Sequence, residues 1–198
     1  MANISAPIGF SQSGYIGGGV PTFGMFVRRI AFGNATKIYR NDPVKTLSTG
    51  YISQWTAAAG AVALAGIFWG CKYVSVSQGR TVWSPYWPGA DAASDVEAYI
   101  IPAFTAGGAT FQVQSSGAAL TFANIGENID VAIGTGNNLN GISGAMVDPA
   151  TLGTTATLPF RIVGLLSDVG APGANGTDNT TAFNQVLVSF NNNALAGT

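Results

Sequence analysis

The sequence predicts an all-β fold, a compact β-barrel or sandwich-like domain with long loops, and three observations point there. Glycine takes 27 of the 198 positions and is spread along the whole chain rather than gathered in a linker. That is roughly twice the usual share, and it suits a chain with many tight turns. Short runs of β-branched and aromatic residues recur between these glycines, several of them with a period of two. No heptad pattern and no repeat array competes with this reading.

Taken in order, residues 1–21 carry Gly17-Gly18-Gly19 and too little apolar surface to fold alone. They are expected to form an extended arm, with residues 22–198 as a single β-rich domain. Strands are expected at 26–31 and 37–39, followed by a turn at Asn41-Asp42-Pro43. The run 57–70 is alanine-rich, yet Gly60, Gly66 and Gly70 interrupt it and Ile67-Phe68-Trp69 suits a buried strand. It reads as a loop leading into a strand. Further strands are expected at 74–76, 96–101, 110–113, 128–133, 160–166 and 185–190. Turn signals at Ser77-Gln78-Gly79, Ala106-Gly107-Gly108 and Ser115-Ser116-Gly117 separate them. Residues 169–181, which include Ala171-Pro172-Gly173, are expected to reach outward as a long loop.

Hydrophobic residues make up 47% of the chain and charged residues only 9%, with a mean hydropathy of +0.30. An ordinary soluble domain carries roughly 25% charged residues. Such a composition fits either a membrane or a surface covered by other subunits. The longest apolar run, 57–70, is shorter than the ~20 residues that a spanning helix needs. The first ten residues have neither the basic nor the apolar part of a secretory signal. Contact with other protein subunits is therefore expected, and neither a membrane nor nucleic acid as a direct partner.

The net charge of −1 hides an asymmetry. Up to Ala90, Arg28, Arg29, Lys37, Arg40, Lys45, Lys72 and Arg80 face only Asp42; beyond it, Arg161 faces eight carboxylates. The halves either fold together and cancel, or show opposite signs to different neighbours.

Histidine is absent and Cys71 is the single cysteine, so intrachain disulfides and Ser-His-Asp or Cys-His nucleophiles cannot be assembled. The context Phe68-Trp69-Gly70-Cys71 predicts a buried, inert thiol. Asp95 and Glu97 lie two apart on an expected strand, where a solvated face explains them as well as paired-carboxylate chemistry does. Gly134-Thr135-Gly136 lacks a nearby cation and reads as a turn rather than a phosphate loop. Asp130, Asp148 and Asp178 lack the spacing of a calcium loop. The protein is expected not to be an enzyme and to use no cofactor.

The densest aromatic segment is Trp83-Ser84-Pro85-Tyr86-Trp87-Pro88, preceded by Trp69 and Tyr73. It suits core packing or an intersubunit anchor, with sugar stacking as another use. The opening Met1-Ala2-Asn3 with Ala6-Pro7-Ile8-Gly9-Phe10 resembles the start of small phage head proteins. The succession Asn41-Asp42-Pro43-Val44, Gly66-Ile67-Phe68-Trp69-Gly70-Cys71-Lys72-Tyr73 and Ser84-Pro85-Tyr86-Trp87-Pro88-Gly89 continues the likeness. So do Asp95-Val96-Glu97-Ala98-Tyr99, Ile125-Gly126-Glu127-Asn128-Ile129-Asp130, Gly141-Ile142-Ser143-Gly144 and Phe160-Arg161-Ile162-Val163-Gly164-Leu165. In this order, over most of the chain, the motifs resemble the capsid cement or decoration proteins of tailed bacteriophages.

The resemblance implies a β-rich protomer that assembles into trimers, or alternatively dimers. It further implies attachment to the major capsid protein on the outer surface of the virion, after synthesis in the bacterial host cytoplasm. It supplies no catalytic residues. Capsid or intersubunit contacts are expected from Pro7 and Phe10 in the arm, from Arg28 and Arg29 toward acidic surface, and from Trp83, Tyr86 and Trp87. The alternative function is a tail- or fibre-associated receptor-binding module whose tryptophans stack on host glycans.

Overall fold

A computed structural model describes residues 2–21, 24–56, 63–103, 108–166 and 177–192. Among these residues the chain forms strands throughout, with one 3-10 turn at Phe122–Asn124. The strands are β1 Ser11–Tyr15, β2 Phe26–Ile30, β3 Pro43–Thr46, β4 Ile52–Gln54, β5 Leu64–Ser75 and β6 Arg80–Ser84. They continue with β7 Val96–Pro102, β8 Ala109–Gln114, β9 Asn128–Ala132, β10 Met146–Gly153, β11 Phe160–Leu165 and β12 Gln185–Phe190.

Two antiparallel six-stranded sheets result, and the all-β, sandwich-like expectation holds. Sheet A runs β1-β8-β12-β11-β9-β10, and sheet B runs β2-β7-β5-β3-β4 with β6 also paired to β5. Both sheets curl. A parallel bridge between Ser115 and Val147 brings the end of β8 to β10, and β2 meets β4 across sheet B.

The alternation of side chains along β5 explains how two curled sheets make one body. Leu64 and Ile67 point into a core shared with Phe111, Ile129, Phe160 and Val188 of sheet A, while Ala65, Phe68, Cys71 and Tyr73 point into a second core with Ile38, Val44 and Trp87. On β7, Ile101 joins the first core and Ile100 the second. A strand that is apolar on both faces is the wall between two cores, which is why this stretch reads as a continuous hydrophobic run.

The strands expected at 26–31, 96–101, 110–113, 128–133, 160–166 and 185–190 appear within a residue or so of those bounds, and 74–76 proves to be the end of β5. Residues 37–39 form only an isolated bridge, Ile38 to Trp87. Strands β1, β3, β4, β6 and β10 were not expected. β3 starts on Pro43, a residue that reads as a turn but is tolerated as the first residue of a strand. β10 contains Pro149 and shifts register between Asp148 and Gly153.

The arm expected at residues 1–21 needs correction, because much of it is stitched into sheet A. β1 pairs with β8 at the sheet edge. Asn3 donates through Nδ2 to the carbonyls of Asp178 (2.8 Å) and Ala182 (3.0 Å), and Gln114 bridges the Ala6 amide and the Ile4 carbonyl. The apolar content of this segment is low, but Phe10 inserts fully into the core, and the side chains of Gln114 and Asn41 satisfy the backbone that precedes it. Within the long loop expected at 169–181, residues 169–176 lie outside the described residues, while Asp178 is buried and bound to Asn3.

The junction between the sheets centres on Asp42. Its carboxylate accepts hydrogen bonds from the Tyr39 amide (2.8 Å), Gln54 Nε2 (2.8 Å) and the Ser143 hydroxyl. Burial outweighs these bonds and lifts its pKa to about 6. A raised carboxyl pKa means that the folded state holds the proton more tightly than the unfolded chain. The associated stability is complete below about pH 4 and is lost as pH rises through about 6, a difference of about 3 kcal/mol. Asp42→Asn is expected to flatten the urea-unfolding free energy between pH 4 and pH 7. An unchanged pH slope in that variant excludes Asp42 as its source.

Candidate functional site

The outer face of sheet B follows from its register. Val27 lies opposite Tyr99, and Arg29 lies opposite Glu97, which lies opposite Lys72, which lies opposite Trp83. Paired residues share a face. Val96, Ala98 and Ile100 fill the second core, so Glu97 and Tyr99 point away from it. Trp83 is 65% exposed and stacks on Tyr99 with ring centroids 4.9 Å apart. The Tyr99 hydroxyl donates to Glu97, and that bond raises the phenol pKa. Lys72 Nζ stands 5.8 Å from the Trp83 ring.

This face is hollowed. One cavity, about 360 Å³, is lined by Met25, Arg40, Trp69, Gly70, Trp83, Ser84, Pro85 and Tyr99. A second, about 300 Å³, is lined by Ile8, Ser11, Gln12, Arg40, Asn41, Trp69 and Ile142. Arg40 and Trp69 belong to both, and the guanidinium lies 3.8 Å above the indole ring. The first cavity is mainly apolar, whereas the second brings two amide side chains and one hydroxyl to the same arginine.

Edge strand β2 supplies a second feature, an apolar edge with side chains on both faces. Met25, Phe26 and Val27 are each nearly half exposed, and Phe32 is 58% exposed. Arg28 and Arg29 follow these residues along the strand, on opposite faces. Arg29 shares the outer face with Glu97, while Arg28 lies opposite Ala98 and places its guanidinium 4.5 Å over the Phe26 ring.

Two of the expected contact residues are core residues instead. Phe10 is fully buried and stacks on Phe160 at 4.4 Å, and Trp87 is fully buried against Tyr73, with its Nε1 donating to the Asn34 carbonyl at 3.0 Å. Neither offers surface to a partner, because the aromatic area that suggested an anchor is spent inside the chain. Tyr86 is half-buried and stacks on Tyr39 at 5.5 Å. Pro7 borders a separate cavity with Ile8, Thr135, Asn137 and Ile142. Trp83 lines the first cavity, whereas Arg28 and Arg29 lie on β2 and line neither of the two.

Sequence reasoning did not find Met25, Gln12, Tyr99 or the Arg40–Trp69 pair as site residues. Strand alternation carried a signal for Tyr99, since it places this residue on the face of Glu97. Nothing in the sequence joins Arg40 to Trp69 or Gln12, which converge only through the junction of the two sheets.

Cys71 is buried and its thiol is pushed up to about 12 by burial, in line with the expected inert cysteine. Asp95 accepts from the Tyr51 hydroxyl at 2.7 Å and from the Phe32 amide at 3.2 Å, which ties it to neighbouring loops. Asp130 and Asp148 are cross-strand partners, whereas Asp178 sits apart beside Asn3 and Thr180. Among the described residues no group of three or more His, Cys, Asp or Glu side chains is placed to hold a metal ion, and no helix is long and apolar enough to cross a membrane. No family model matches the chain, and no curated protein or solved structure is significantly similar to it.

Proposed function

We propose that this chain is a structural virion protein that binds the outer surface of a phage capsid and bridges neighbouring capsid subunits. The observation that carries this reading is the half-exposed apolar edge Met25-Phe26-Val27 with Phe32, set beside Arg28 and Arg29 on a two-core β-scaffold. Apolar surface on an edge strand is a liability in an isolated protein and is ordinarily covered. The low charge content favours cover by protein subunits.

The physical task is to hold together shell subunits that internal pressure pushes apart. At ~25 cal/mol per Å², a contact of a few hundred Å² provides several kcal/mol before association costs. A homo-oligomer, with a trimer favoured, adds avidity on a symmetric lattice. The test has two parts. The copy number per purified virion should equal the major capsid protein's or a simple fraction of it. Phe32→Ser and Arg29→Glu should each lower co-sedimentation with undecorated shells by about tenfold while the melting temperature stays within a few degrees. A handful of copies per virion, or full decoration by both variants, overturns the proposal.

The exposed Trp83 on Tyr99 favours a second reading, a tail- or fibre-associated glycan-binding module. A low copy number confined to the tail selects it over the first.

A further inference from the structure

We infer that the paired cavities around Arg40 form one cleft that binds a short acidic oligosaccharide. This rests on the glycan-binding reading above, whose site it specifies, and does not depend on shell attachment.

Three features of the cleft select this ligand class. The first is its aromatic end, where Trp83 remains 65% exposed after stacking on Tyr99. Sugar rings have an apolar C–H face that packs on such a surface, while their rims stay polar. The second is charge. Arg40 makes no hydrogen bond or ion pair through its side chain among the described residues, and its guanidinium carbon lies 3.8 Å from the centre of the Trp69 ring. A planar guanidinium fork matches a carboxylate bidentately. Arg29 and Lys72 share the neighbouring outer face, where the one carboxylate in their row, Glu97, is engaged by Tyr99. The face therefore attracts anions.

The third feature is Gln12. It is 7% exposed, it lines the second cavity, and both its side-chain nitrogen and its side-chain oxygen lack a hydrogen-bond partner. Buried amides left unpaired are rare and call for an explanation. A sugar hydroxyl donates and accepts, so two adjacent hydroxyls satisfy both ends of the amide once its side chain turns toward the cavity. Ser11 and Asn41 line the same cavity.

A peptide fits less well. The cleft floor near Gly70 and Tyr99 lies on paired strands β5 and β7, so an extended chain finds no free ladder there. Recognition must come from side chains. Two cavities sharing one ridge suit two or three sugar rings rather than one.

The test is a tryptophan-fluorescence titration of the full chain, confirmed by calorimetry. Probes are tri-galacturonate, sialyllactose and a hyaluronan tetrasaccharide, with maltotriose and hexaglutamate as comparisons. Saturable binding of at least one acidic sugar is expected, about tenfold or more tighter than maltotriose, with no saturation by hexaglutamate. Arg40→Gln should erase the preference for the acidic sugar, and Trp83→Ala and Gln12→Leu should each weaken binding about tenfold. Lys45→Gln, which removes a cation on β3 outside the cleft lining, should leave the titration unchanged. Thermal melts identify any variant that fails to fold, and the exposed Trp83 supplies a variant with little cost to the core. No binding by any acidic sugar, equal binding of maltotriose, or equal binding of hexaglutamate overturns the inference, and none of these outcomes bears on shell attachment.

Discussion

Phe10→Ala is expected to destabilise the protein by about 3–5 kcal/mol, as large-to-small changes at buried aromatics do. Phe10 begins a run of ring contacts through the first core. It stacks on Phe160 at 4.4 Å, Phe160 on Phe190 at 5.7 Å, and Phe190 meets Phe111 edge-on at 5.0 Å. Its own amide donates to the Asn41 carbonyl at 3.0 Å, so it also pins the N-terminal segment to the sheet junction. Gly9, directly before it, has φ +70°, and a Cβ there would lie 2.6 Å from the Asn41 carbonyl oxygen. The ring thus enters through a turn that no other residue makes easily. The expected readout is a drop of about 10 °C in melting temperature for a chain of this size. Ile4→Ala, at a residue 79% exposed in the same segment, should shift it by no more than about 2 °C. Deletion of residues 2–20 should exceed the point substitution, because it also removes β1 and the Asn3 hydrogen bonds. Equal melting temperatures for Phe10→Ala and the parent chain would place the N-terminal segment outside the fold.

Phe10 also shows where sequence reading stops. Glycine frequency and period-two runs are local signals, and they suffice to predict an all-β chain and most of its central strands. The location of Phe10 depends instead on long-range hydrogen bonds from Asn3 and Gln114, which no window of sequence contains. Trp87 went astray for the opposite reason. Its segment, Trp83 to Pro88, holds two tryptophans of the same local character, so sequence cannot tell that Trp83 faces solvent on β6 while Trp87 bridges to Ile38 and turns inward. The strands β3, β4, β6 and β10 are short or carry proline, so each offers little local signal. The cleft is less legible still: Gln12, Arg40, Trp69 and Trp83 come from four separate segments, and only the curl of both sheets brings them together.

Gly66→Ala is expected to have an effect of similar size, through backbone rather than side-chain packing. Gly66 sits inside β5, opposite Val44 on β3 and Pro102 on β7, with φ +154°. A Cβ at this position would stand 2.2 Å from the Ile101 carbonyl oxygen, well inside contact distance. Relief requires β5 and β7 to move apart where both strands carry core residues on their two faces. Ile67 and Ile101 fill the first core, and Phe68 and Ile100 the second, so one displacement loosens both. Strain at a disfavoured backbone angle and forced repacking each cost about 1–3 kcal/mol, which sums to about 4 kcal/mol. Gly33→Ala provides the contrast: Gly33 has open space around it and no positive φ, so the change should be neutral or slightly stabilising. Urea unfolding of the two variants separates the steric demand at Gly66 from the generic entropy of glycine. Near-equal midpoints would mean that the β5–β7 wall can widen without cost, and the two cores would then not be coupled through it.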